Sequence, residues 1–252
     1  MFFRKTPRYT VRYAETEADI SAAQRLRYLA FVSARGRGTM LDDARDADAF
    51  DAACTHVLIE EAVGGRLVCC FRFLHLADGH EIGRSYSAQF YELSGLEDFD
   101  GPMVEMGRFC LHPEAHDPDI LRLAWGAMTA YVDAHGVQML FGCSSFLGAD
   151  AEAHVEALAL LKERYLGPRR WLPRVKAPRV FRFARRLRLR KPDKKQAMLR
   201  MPPLLRSYLA MGGWVSDHAV VDRDLDTLHV FTGLEIRAIP PARARLLRAV
   251  AG

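Results

Sequence analysis

Along this chain the spacing of apolar residues switches repeatedly between a period of two and a period near 3.6, and that switching limits the fold more than any other feature. "RYTVRY" (8–13) alternates like a half-buried strand. "TEAD" (16–19) follows, where Thr16 can cap a helix and Asp19, three positions on, can return the favour, ahead of a periodic run to Phe31. "THVLIEEA" and "RLVCCFRFLHL" flank "VGG", which predicts a hairpin closing on a glycine turn. Residues 77–100 show no regular period. A strand over 103–111 then precedes a helix from Pro118 to Ala134, and a strand in "VQMLFGCSSF" precedes a helix from Asp150 to Tyr165. "PPLLRSYLAMGG" reads as a short helix with a glycine stop, and "WVSDHAVVDR" with "TLHVFTGLEI" as a final strand pair. Strands alternating with helices mean an α/β fold.

Composition narrows the class. Apolar residues make up 50% and charged residues 27% of the 252, which fits a chain that buries one substantial core and excludes global disorder. A single domain over 1–252 is expected. No apolar run approaches the roughly 20 residues that a bilayer core demands. "MFFRKTPRYTVRY" lacks an apolar leader core and a small-residue cleavage site, so a cytoplasmic protein is expected. The five cysteines, Cys54, Cys69, Cys70, Cys110 and Cys143, are odd in number and form no C-x-x-C pair. They lie mostly in apolar runs, where a thiol behaves as a small hydrophobe, so reduced core thiols are expected.

"VEMGRFCLH" (104–112) does not fit a purely structural strand. It is apolar, yet it carries Glu105 and Arg108 three positions apart with Gly107 between them. Burying either ion is costly unless it is paired and hydrogen-bonded. Strict alternation would put the two on opposite faces, and a bulge at Gly107 would return them to one side. Two readings follow: an internal Glu105–Arg108 ion pair bracing the sheet, or a carboxylate placed to accept a proton beside an arginine that holds an anionic group.

Other ionic residues recur in apolar surroundings: Arg25 in the first helix, Arg72 within "CCFRFLHL", and Asp48 with Asp51 in "DADAFDAA". If the chain's own carboxylates satisfy its arginines, the set is a structural network. If the groups stay partly unpaired around a cleft, the set suits a zwitterion such as an amino acid.

The segments "RLRYLAF", "DAFD", "CFRFL", "VEMGRFCLHP", "LFGCSSFLG" and "PPLLRSYLAMGGWVSDHAVVDRDLDTLHVF" together resemble the L-ornithine N-acyltransferases that begin ornithine-lipid synthesis, a GNAT-like group related to the acyl-homoserine lactone synthases. The resemblance covers about residues 8 to 237. Its E-x-x-R-F element is shared with the lactone synthases, whereas "FGCSSF", "PPLLRSYL" and "VDRD" are more particular to the lipid branch. What it implies is a mixed central sheet flanked by helices, with a basic insertion before the C-terminal strands. The implied reaction moves a long, 3-hydroxylated acyl chain from acyl carrier protein to the α-amine of L-ornithine, giving lyso-ornithine lipid. By the resemblance, Arg25, Phe31, Asp48, Asp51, Arg72, Glu105 and Arg108 surround the amino substrate. Glu105, through a water, would help remove the ammonium proton, a backbone amide near Gly107 would stabilise the oxyanion, and Arg108 or Arg72 would fix the carboxylate. Acylation of glutamine and lactone synthesis from S-adenosylmethionine are the alternative enzymes, and a non-enzymatic RNA- or membrane-binding module is the alternative from another class.

One departure bears on the acyl donor. CoA-dependent members of the fold carry a glycine-rich R-x-x-G-x-G/A loop after this strand, whose amides cradle a pyrophosphate. Here the segment is "HPEAHDPDILRLAW", without those glycines. A phosphopantetheine arm on a carrier protein is therefore expected, and no permanently bound cofactor. Ser144 and Ser145, after a strand end, could hydrogen-bond that arm's amides or simply belong to a loop. His112, His116 and Asp117 are interrupted by Pro113 and Pro118, so no metal site is expected. "GCSSF" is not a G-x-S-x-G elbow.

Charge is concentrated. Residues 169–195 hold 13 Lys or Arg and one acid, Asp193, a local charge of +12 in a chain of net +5, so the remainder carries −7. Such a segment suits an anionic partner. Trp171, Phe181 and Phe183 interleave the arginines, as they would for interfacial insertion or for base stacking. Charge alone does not choose between these; without a nucleic-acid motif, and with the hydrophobic product that the resemblance implies, peripheral contact with an anionic membrane and with acyl carrier protein is expected, through Arg185, Arg186, Arg188 and Arg190.

Overall fold

The computed structural model of the chain describes residues 7–33, 36 and 44–251. The first six residues of the stretch tested for a leader, and positions 34–35 and 37–43 of the polar, Asp-rich stretch 34–53, whose composition predicts a loop, lie outside the described residues. The elements run β1 (Tyr9–Tyr13), α1 (Glu17–Phe31), β2 (Thr55–Glu61), β3 (Leu67–Leu76), β4 (Tyr91–Glu92), β5 (Met103–Leu111), α2 (Pro118–His135), β6 (Met139–Leu147) and α3 (Val155–Arg164). They continue with β7 (Arg174–Val175), β8 (Val180–Phe181), α4 (Phe183–Arg186), α5 (Lys194–Arg200), α6 (Pro203–Ala210), β9 (Trp214–Asp222), β10 (Thr227–Glu235) and α7 (Pro241–Ala251). Eight strands form one mixed sheet in the order β1-β2-β3-β5-β6-β10-β9-β8, in which β5 and β6 pair in parallel, and β4 pairs with β7 in a small second sheet. This is the expected α/β architecture.

The chain packs as two compact units, one of residues 1–74, 106–134 and 245–252, the other of residues 75–105 and 135–244. In the first unit Thr16 closes the expected capping box: its hydroxyl accepts from the Asp19 amide at 3.2 Å, and Asp19 accepts from the Thr16 amide at 3.1 Å. The hairpin β2–β3 turns through Gly64 and Gly65 at φ 86° and 65°, a left-handed pair that side chains resist. Period-two alternation sends Cys70 and its opposite Leu58 to one face, where Ala23 and Leu26 of α1 cover them. Phe71 and Phe73 fall on the other face, and Phe73 meets Tyr131 of α2 with ring centroids 4.6 Å apart.

In the second unit Phe146 of β6, Leu228 and Val230 of β10, and Val215 and Ala219 of β9 are buried with residues from α3 to α6. The basic segment is woven into this unit. β8 is an edge strand on β9, Phe183 is fully buried, Phe181 packs on the same core, and Trp171 meets Phe99 edge-on with centroids 5.5 Å apart. The rings therefore face inward, which corrects the expectation of interfacial aromatics, because burial against an apolar core outweighs exposing them. The segment's single acid acts locally, since Asp193 caps α5 by accepting from the amides of Lys195 and Gln196 at 2.9 and 3.1 Å. No helix among the described residues is long and apolar enough to cross a membrane.

Candidate active site

Glu105 lies near the start of β5, opposite Phe141 in the parallel pair, and is 4% exposed. Its carboxylate accepts from the Tyr86 amide at 2.7 Å, the Ser87 amide at 2.8 Å and the Ser87 hydroxyl at 2.5 Å. Three donors to one buried carboxylate favour its charged form. Nearby, burial and the negative charge of Glu105 both push the phenol of Tyr208 on α6 upward, so Tyr208 is neutral at any ordinary pH. The segment that grips Glu105 continues into Phe90 and Tyr91, which pack on His229 of β10.

Arg108 takes different partners. Among the carboxylates it reaches are Asp48, 2.9 Å from its Nη2, and Asp46, 3.2 Å from its Nε. The bracing ion pair with Glu105 expected as one reading is therefore corrected: loop amides hold the carboxylate, and carboxylates from before β2 hold the guanidinium. The left-handed residue of the strand is Arg108 itself, at φ 54°, rather than Gly107. A non-glycine there costs on the order of 1–2 kcal/mol, so the surrounding ion pairs must hold it. Gly107 lies against Arg72, with space for a Cβ 3.8 Å from its Nε.

Around Arg108 the first unit assembles an ion network. Arg72 grips Asp48 bidentately at 2.6 and 2.7 Å and reaches Asp51 at 2.5 Å. Arg27 grips Asp51 bidentately at 2.6 and 2.9 Å and faces Asp46 at 3.0 Å. Gln24 adds a donor to Asp51 at 2.9 Å, and His56 lies 3.0 Å from the Asp51 carbonyl. Burial pushes the Asp51 carboxyl up, but hydrogen bonds from Arg27 and Gln24 and the nearby guanidiniums outweigh it, and its pKa ends well below the usual carboxylate range. Asp48 is lowered in the same way, its burial outweighed by Arg72 and Arg108. Burial chiefly lowers His56, which keeps it neutral. The network has two tiers: Arg27, Arg72 and Asp51 are buried, whereas the side chains of Asp46, Asp48 and Arg108 retain 14 to 20% of their exposure.

The structure corrects the assignment of Arg25, which is exposed on α1. The buried arginine of that helix is Arg27, on the stripe of Ala23 and Leu26, the side that faces the sheet. Phe31 packs against the core cluster beneath α1. Ser144 is buried and accepts from the Thr232 hydroxyl at 2.9 Å, while Ser145 is exposed. Arg185, Arg186, Arg188 and Arg190 are exposed, Arg186 over the Phe181 ring and Arg190 paired with Glu156 of α3. The sequence reading missed Arg27, Asp46, Ser87 and Tyr208.

Residues 26–126 match the family described as acetyltransferase (GNAT) domain. The fold is similar to that of a CoA-dependent acyl-homoserine lactone synthase, BjaI, solved with MTA, at a TM-score of 0.51 and 11% identity over 97% of this chain and 90% of that one. Fold and domain match define a GNAT-type fold. Over 239 residues the chain is 33% identical to the L-ornithine N(alpha)-acyltransferase of Rhodobacter capsulatus, covering 92% of this chain and 91% of that protein. It is 31% identical to the L-ornithine N(alpha)-acyltransferase of Brucella abortus, over 91% of this chain and 85% of that one. The chain belongs to the L-ornithine N(alpha)-acyltransferase family.

Proposed function

We propose that this protein transfers a 3-hydroxylated acyl chain from the phosphopantetheine thioester of acyl carrier protein to the α-amine of L-ornithine, giving lyso-ornithine lipid. The observation that carries the amino substrate is similarity to ornithine acyltransferases along nearly the whole of both chains. In the structure Arg108 pairs with Asp46 and Asp48, the structural-network arrangement, so ornithine would bind at this half-buried tier by exchanging those pairs for its own groups. Ornithine has one carboxylate and two amines, so Arg108 can take the carboxylate, and Asp46 and Asp48 can face the side-chain ammonium. Glu105 is the base in this reading and draws the proton from the α-ammonium through a water. The neutral amine then attacks the thioester carbonyl, a backbone amide near Gly107 meets the oxyanion, and as the C–S bond breaks the second proton of the nitrogen passes to the departing thiolate, while the first leaves Glu105 for solvent.

The carrier-protein donor is supported by the start of α2. In place of a glycine-rich cradle, Asp117 accepts from the Asp119 amide at 3.0 Å and from the Tyr9 hydroxyl at 3.0 Å, and pairs with Arg8 at 2.6 Å. The hydrogen bond from Asp119 chiefly holds its pKa below the usual range. The helix end that could receive a pyrophosphate is thus already occupied by the chain's own carboxylate. The deciding experiment incubates purified protein with 3-hydroxyacyl carrier protein and a panel of amino compounds, then reads products by mass spectrometry. Acyl-ornithine as the dominant product supports the reading. Acyl-glutamine or a lactone from S-adenosylmethionine overturns it.

The basic segment is proposed to hold the enzyme on an anionic bilayer, where the product belongs. Leu189 is 85% exposed among Arg185, Arg186 and Arg188, so an apolar tip stands within a cationic field.

A further inference from the structure

His229 of β10 is 3% exposed and raises a hydrogen-bonding question that the ion network and Glu105 do not answer. The Tyr91 hydroxyl donates to the His229 carbonyl at 2.8 Å and lies 3.2 Å from its ring Nδ1. The carbonyl is the nearer acceptor for the one phenolic hydrogen, and assigning the hydrogen there makes the phenol oxygen the acceptor for Nδ1–H and leaves a lone pair on Nε2. Among the described residues Nε2 has no hydrogen-bond partner. A buried acceptor left unmet is costly, and native interiors rarely tolerate one without a use. Burial lowers the His229 pKa to about 4, so the ring stays a neutral acceptor at physiological pH.

The position of this lone pair follows from strand register. His229 is opposite Ser145 and Phe231 is opposite Cys143, so these four share a face, and Glu105 joins it through its partner Phe141. From Phe141 to Ser145 is four residues, about 13 Å along the strand, a span that a long thioester covers on either side of its carbonyl. One short segment covers Glu105, Cys143 and His229 of this row and leaves Ser145 exposed: Tyr86 and Ser87 hold Glu105, Ser87 Oγ lies 3.4 Å from Cys143 Sγ, and Phe90 and Tyr91 pack on His229.

We propose that His229 Nε2 is the acceptor for an uncharged O–H or N–H donor carried by the acyl thioester, in a subsite on the β6–β10 face beneath Phe90 and Tyr91. The subsite rests on the acyl-transfer reading above and deepens it, because it adds an acceptor for the acyl donor to the face that carries Glu105. A neutral imidazole lone pair accepts a hydroxyl or an amide hydrogen and offers nothing to a plain hydrocarbon. The hydrogen can come from the 3-hydroxyl of the acyl chain or from the pantetheine arm.

The test compares 3-hydroxyacyl and unsubstituted acyl thioesters of pantetheine as probes. In the wild-type protein labelled with 15N-histidine, the His229 Nε2 resonance should move on saturation. Movement with the hydroxylated probe alone assigns the acyl hydroxyl, and equal movement with both assigns the arm. Turnover with the matching carrier-protein donors gives a second readout: His229→Phe should erase a preference of about tenfold for the hydroxylated donor if the hydroxyl is the source, or lower kcat/KM for both about equally if the arm is. An Nε2 resonance indifferent to both probes overturns the subsite, whatever the turnover and whether or not His229→Phe folds. A wild-type protein that makes no acyl-ornithine while the resonance still moves overturns the assigned reaction and leaves the subsite standing.

Discussion

Ser87 donates to Glu105 twice, from its amide at 2.8 Å and from its hydroxyl at 2.5 Å, so a single residue sets both the charge and the orientation of the buried carboxylate. Glu105→Gln should therefore act in two ways. The new amide turns an N–H toward the loop amides, costing about 2 kcal/mol of stability. Loss of the anion should lower turnover on the order of 100-fold. Ser87→Ala removes the hydroxyl bond but keeps the charge, and should cost about 1 kcal/mol with turnover reduced only a few-fold. Steady-state kinetics beside denaturant titrations separate the roles: equal turnover losses in the two variants would reduce Glu105 to an anchor for the loop.

The network around Asp51 sets the acid limit of the fold. Asp48 and Asp51 have pKa values below their unfolded value, so their contribution is full above about pH 4 and is lost as pH falls through the folded values. His56 and His229 are also lowered, so they begin to erode stability earlier, as pH drops below about 6.5. Asp51→Asn leaves Arg27 and Arg72 buried with less counter-charge and should cost about 3 kcal/mol at neutral pH, flattening the acid limb below pH 4 alone. Arg25→Ala, on the exposed side of α1, should change the unfolding midpoint by no more than about 0.5 kcal/mol. Urea titrations between pH 3 and 8 check both, and a large loss in Arg25→Ala would contradict its placement.

Local order was legible where one residue's chemistry decides the backbone. The Thr16–Asp19 capping box, the hairpin through Gly64 and Gly65, and the glycine stop after α6 at Gly212, φ 94°, needed only short-range rules. Arg27 was missed although the sequence carries a signal for it, since Ala23, Leu26 and Arg27 fall on one helical stripe and Arg25 does not. Ser87 and Asp46 carry no such signal. Ser87 starts a single 3-10 turn and Asp46 lies in irregular chain, and their partners are 18 and 62 residues away in sequence, set by tertiary packing rather than by any period. The inward turn of Trp171, Phe181 and Phe183 was equally hidden, because interleaved aromatics and arginines look the same whether the rings face a core or a bilayer.

The Asp117 cap predicts donor choice. Acyl-CoA should be used at least tenfold less efficiently than acyl carrier protein, because its pyrophosphate would meet a carboxylate at the start of α2. Asp117→Asn removes the charge while keeping an acceptor for the Asp119 amide. It should raise kcat/KM for acyl-CoA several-fold and leave the carrier-protein value within about twofold. Comparable efficiencies for both donors in the wild type would refute the carrier-protein assignment.

The basic segment makes the last prediction. Each Lys or Arg near an anionic bilayer contributes on the order of 1 kcal/mol, and residues 169–195 hold 13 of them. Binding to anionic vesicles should therefore fall steeply with salt. Since Phe183 is buried and Phe181 and Trp171 pack inward, any salt-resistant remainder must come from Leu189 and from Leu199 of α5, 68% exposed, and not from the aromatic rings. Vesicle sedimentation should show Arg185, Arg186 and Arg188 to Gln releasing the protein at moderate salt, with turnover on soluble donors largely intact. Arg190→Gln should weaken binding less than the others and destabilise the fold slightly, because Arg190 is tied to Glu156 and Asp193, the α5 cap, shares that carboxylate. Leu189→Ser should remove most of the salt-resistant fraction. If the triple variant still sediments with vesicles while its kcat/KM for acyl carrier protein collapses, the cationic face docks the carrier and the membrane assignment is wrong.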